Sequence, residues 1–85
     1  MPTLSMFYGI IIQMFWNEHN PPHFHATYGD FKAVFDFDGN LKDGKMPGNQ
    51  QKLIVAWTIL HHDELLANWQ LSEQQQELVR IAPLQ

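Results

Sequence analysis

Apolar positions in the first half of the chain fall in short runs, many alternating with polar ones, and in the second half they recur every three to four residues. Strands followed by helices are the elements such a pattern predicts. Phe7–Trp16 is rich in Ile, Phe, Tyr and Trp and is apolar on both faces except at Gln13, which reads as one strand covered on both sides. Asn17–Pro22 interrupts it, most sharply at Asn20-Pro21-Pro22. His23–Tyr28 and Phe31–Phe37 read as the second and third strands, joined by the two-residue hairpin signal Gly29-Asp30. Leu41–Lys45 adds a short fourth. That turn fixes a register: Tyr28 faces Phe31, Ala26 faces Ala33 and Phe24 faces Phe35, all on one apolar face. The other face then carries Thr27 opposite Lys32, His25 opposite Val34 and His23 opposite Asp36. Asp38–Asn49, with three glycines and one proline, reads as turns and loop before the helical half.

Asn49 is the predicted N-cap of a helix running to about Trp69. At helical spacing Leu53, Ala56, Trp57, Leu60 and Ala67 form one apolar stripe, with Trp57, His61, Glu64 and Asn68 along its edge. Val55, Ile59 and Leu66 form a second apolar ridge, so the helix is buried on two sides or offers one side to a partner. Ser72-Glu73-Gln74-Gln75 matches a capping box and predicts a short second helix to about Val79. Ile81–Leu84 reads as an extended tail with Leu84 docking. The expected class is therefore α+β: an antiparallel meander of three to four strands, then one long and one short helix.

Eighty-five residues make a single domain, 1–85, with a thin core, to which a homodimer would add burial. There is no cysteine, which removes disulfides and thiolate-bound zinc from consideration. The N-terminus has no basic leader, and the apolar run near Gly9–Ile12 is too short to span a membrane; a cytoplasmic protein without membrane attachment is the expectation. Net charge is −4 with only five Lys and Arg. Because phosphate neutralisation dominates nucleic-acid affinity, that balance disfavours a nucleic-acid partner.

Polar chemistry concentrates in Pro22-His23-Phe24-His25 and Leu60-His61-His62-Asp63-Glu64. His23 and His25 share a strand face, a spacing that suits a shared divalent transition metal or an acid/base pair, with Asp36 positioned to orient one ring. Tyr28 or Lys32 would steady a bound phosphate. His61 and Glu64, with Asn68 a turn further on, converge on one helix edge; His61 is a candidate third metal or acid/base group, and Glu64 and Asn68 are candidate binding residues. Against these stand plainer readings: histidines bonded locally on a half-wet sheet face, and a helix-packing network. No nucleophile elbow, phosphate-cradling glycine loop or H-E-x-x-H zinc helix is present.

Several linked motifs carry a resemblance. Met1-Pro2-Thr3 with Phe7-Tyr8-Gly9-Ile10, Asn20-Pro21-Pro22-His23-Phe24-His25 with Tyr28-Gly29, and Gly44-Lys45-Met46-Pro47 are three of them. Trp57-x-x-Leu60-His61-x-x-Glu64-Leu65-x-x-Asn68-Trp69 and Ile81-x-Pro83-Leu84 complete the set. Together they resemble a bacterial group, domain-of-unknown-function family 4160; Met46 stands where that family more often has Leu. The resemblance implies a small cytoplasmic protein encoded beside a second small protein, in an arrangement like a toxin–antitoxin pair. It places emphasis on His23, His25, Tyr28, His61, Glu64, Asn68 and Trp69. Two functions follow as expectations: a protein-interaction module of such a two-gene system, or a small His-dependent or metal-dependent ribonuclease-like hydrolase using His23 and His25.

Overall fold

Tyr8 and Gly9 both adopt positive φ, 49° and 80°, the conformation of a two-residue type I′ hairpin turn. They split the expected first strand into β1 (Thr3–Phe7) and β2 (Ile10–Gln13). The computed structural model, which describes residues 2–85, continues with β3 (His23–Tyr28), β4 (Phe31–Asp36) and β5 (Leu41–Gly44). All five form one antiparallel meander in the order β1-β2-β3-β4-β5. The sheet thus has five strands where three to four were expected. The miss lies at Tyr8, an aromatic residue in a position that Asn, Asp or Gly usually fills.

The β3–β4 register is the one the Gly29-Asp30 turn dictates, from Tyr28↔Phe31 to His23↔Asp36. Phe24, Ala26, Ala33 and Phe35 are buried on one face, and Ile10 and Ile12 extend that layer across β2. At the far edge, Gly44 has φ +82°, and a Cβ there would overlap the Lys32 carbonyl oxygen. Only glycine lets β5 approach β4 this closely.

Two helices cover the apolar face, α1 (Gly48–Leu60) and α2 (His62–Glu73), broken at His61. The expected single helix from Asn49 to Trp69 is therefore two, and the N-cap of α1 is Pro47, two residues before the expected Asn49. His61 leaves helical geometry at φ −117°, ψ 26°, with no Gly or Pro to announce the break. The buried stripe also differs from the expected one. It runs through Ile54, Trp57, Thr58, Leu65, Asn68, Trp69 and Ser72, whereas Ala56, Leu60 and Ala67 are exposed. This stripe keeps helical spacing but admits polar residues whose groups bond to backbone. Thr58 Oγ1 donates to the Ile54 carbonyl at 2.7 Å and Ser72 Oγ to the Trp69 carbonyl at 2.7 Å. A buried polar group satisfied in this way costs little, so an apolar count alone picks the wrong arc.

Ser72 is accordingly not an N-cap, and residues 76–85 carry no regular structure. They act as a strap. The Ile81 amide donates to the Leu4 carbonyl at 2.8 Å, the Trp57 indole N–H donates to the Ala82 carbonyl at 2.9 Å, and Leu78 and Leu84 pack on the core. The expected docking of Leu84 is observed.

Candidate functional site

Asn17, in left-handed conformation at φ 60°, turns the chain just after β2, a role Asn tolerates better than most residues. The turn brings Glu18 back alongside the start of β3. Its Oε1 lies 2.6 Å from His25 Nε2 and its Oε2 lies 3.3 Å from His23 Nε2. The two imidazoles are 5.5 Å apart between centroids. One ligand atom from each of the three residues falls within 4.8 Å of the other two, and among the described residues this is the one group of three or more His, Cys, Asp or Glu so arranged.

Each ring is held from behind. The carbonyl of Pro21 can only accept, so the 2.9 Å contact to His23 Nδ1 places a proton on Nδ1 and turns Nε2 toward Glu18. Trp69 of α2 lies 5.3 Å from the His23 ring, and Phe15 meets the His25 ring edge-on at 4.6 Å. Burial works to raise the Glu18 carboxyl, but the hydrogen bonds and positive charge of His25 and His23 outweigh it and hold the group below the ordinary carboxylate range. The three side chains are only partly buried, so the cluster stays open to solvent on one side. Beside it, Gln13, Phe15, Thr27 and Lys32 line a groove of about 250 Å³ that His25 shares.

The other sequence candidates lie elsewhere. Asp36 does stand opposite His23, but its carboxylate accepts from the Asp38 and Asn40 amides and the Asn40 side chain, at 2.9, 2.9 and 3.0 Å. It organises the turn before β5 and does not orient a histidine. Tyr28 packs against the core, on the face away from His25. His61 pairs with Glu64 at 2.6 Å and stacks near Trp57; it is not part of the Glu18–His23–His25 group. Asn68 receives the Val79 amide at 2.7 Å and donates to the Val79 carbonyl at 3.0 Å, so it latches the strap to α2. Of the expected set, His23, His25 and Lys32 gather at or beside one site, and His61 lies outside the cluster. Glu18 is the residue that sequence reasoning missed, because its place depends on the course of the loop between β2 and β3.

A family model described as Domain of unknown function (DUF4160) matches residues 9–70. No curated protein and no solved structure matches the chain. No helix among the described residues is long and apolar enough to cross a membrane.

Proposed function

The chain belongs to the DUF4160 family, and from that premise we propose that it is a protein-interaction module, one half of a bacterial, cytoplasmic two-gene system of the toxin–antitoxin kind. The pairing is what the sequence resemblance implies. The observation that supports an interaction role is on α1. Ile59 and Leu60 are 67% and 68% exposed, and with exposed Ala56 and half-buried Val55 they make an apolar stripe at i, i+3 and i+4 spacing. Contiguous apolar surface of this kind is a docking feature in soluble proteins. Lys52 lies beside it, which favours a partner with an acidic rim.

Light scattering coupled to size exclusion, run on the protein alone and with the product of the neighbouring gene, tests this. A stable complex that Ile59→Asp with Leu60→Asp abolishes is the expected result; both side chains are exposed, so the fold should survive. A strict monomer that ignores its neighbour overturns it.

A small hydrolase of ribonuclease type is the second reading, favoured by the Glu18–His23–His25 cluster and by Lys32 in the adjoining groove. Here His25 and His23 serve as acid/base groups. Growth inhibition by the protein that persists unchanged in a folded His25→Ala variant would sink it.

A further inference from the structure

We propose that Glu18, His23 and His25 bind one divalent transition-metal ion of the zinc type, leaving at least one coordination position open to solvent. This inference rests on neither functional reading above.

The donor set is two imidazole nitrogens and one carboxylate oxygen. Such a set suits zinc, cobalt, nickel or iron(II), whereas magnesium and calcium want oxygen ligands. The geometry is close to what an ion requires. Metal–ligand distances of about 2.0–2.2 Å put tetrahedral donors roughly 3.3 Å apart. The Glu18–His23 separation is already 3.3 Å, and all three donor atoms fall within 4.8 Å of one another. Binding would require the 2.6 Å Glu18–His25 contact to open and the longer separations to close by small side-chain rotations.

The tautomers point the same way. With its Nδ1 proton committed to the Pro21 carbonyl at 2.9 Å, His23 aims Nε2 at a carboxylate oxygen 3.3 Å away. His25 Nε2 meets the other oxygen of the same carboxylate at 2.6 Å. A cation at their common point satisfies all three. The Pro21 bond is also the kind of outer contact that ligating histidines make to a backbone carbonyl, fixing ring orientation and tautomer. Trp69 and Phe15 wall the two rings. Three protein ligands with one open position is the coordination pattern of reactive rather than purely structural zinc sites.

Titration calorimetry of the untagged, chelator-treated protein with zinc chloride, and separately with magnesium chloride, at neutral pH tests the proposal. One zinc ion per chain should bind, with no magnesium heat beyond dilution. Glu18→Gln and His25→Ala should each weaken zinc binding roughly tenfold or more, and His62→Ala, altered at a histidine outside the cluster, should leave it unchanged. Should His25→Ala fail to fold, the near-isosteric Glu18→Gln carries the comparison: zinc raises the melting temperature of the unmodified chain and not of this variant. No zinc heat beyond dilution, magnesium binding as well as zinc, or zinc binding indifferent to Glu18→Gln overturns the assignment.

Discussion

Asp36 and Glu18 are both carboxylates near His23, and their different roles follow from which donors reach them. Asp36 is enclosed by the turn after β4. Burial acts to raise its carboxyl, but the Asn40 amide and side chain, the Asp38 amide and the charge of Lys42 hold it below its ordinary value of 3.8. A group whose folded value is depressed stabilises the fold above its unfolded value, and that contribution disappears as pH falls through the folded one. Denaturant midpoints of the unmodified protein should therefore drop between neutral pH and about pH 3 more steeply than those of Asp36→Asn. Parallel slopes would mean that the carboxylate contributes nothing through its charge. Glu18, by contrast, receives imidazoles rather than amides, which is why it belongs to the metal-type cluster and Asp36 does not.

At the scale of elements, the Tyr8-Gly9 turn carries the largest departure from the expected fold. Tyr8 holds φ +49° although the residue is 61% exposed, so little packing offsets the strain of a left-handed tyrosine. Tyr8→Asn, the residue type this turn prefers, should stabilise the protein by roughly 0.5–1 kcal/mol, measured as a higher urea midpoint with unchanged slope. A loss of stability instead would reveal packing by the Tyr8 ring that its exposure does not suggest. The β3–β4 hairpin was legible in full because Gly29 supplies the first turn position and every inward residue is apolar. The helix break at His61 was not, since nothing local opposes helix there.

Across the whole molecule, the C-terminal strap joins the first strand to both helices. Asn68 grips Val79 in both directions, Ile81 bonds to Leu4, and the Trp57 indole holds Ala82. Asn68→Ala removes both Val79 bonds at once and should cost about 1–3 kcal/mol. The expected signature is loss of hydrogen-exchange protection at the Ile81 amide before the β2–β3 amides are affected. If protection at Ile81 persists, the Ile81–Leu4 and Trp57–Ala82 bonds and the packing of Leu78, Ile81 and Leu84 hold the strap without Asn68. The same accounting explains why the helix stripe was misread. Thr58, Asn68 and Ser72 take core positions because carbonyls and amides in their own helix or in the strap satisfy them, and the apolar residues they displace, Ile59 and Leu60, face outward.

By itself the sequence determined the α+β class, the β3–β4 register and the shared face of His23 and His25, because turn chemistry and side-chain alternation are local rules that propagate along a strand. Only the tertiary structure decided the fifth strand, the broken helix, the separation of His61 from the strand histidines, and the arrival of Glu18 between them. Each of these depends on backbone paths through a loop or a strained turn, or on polar groups that find their partners only once distant segments meet.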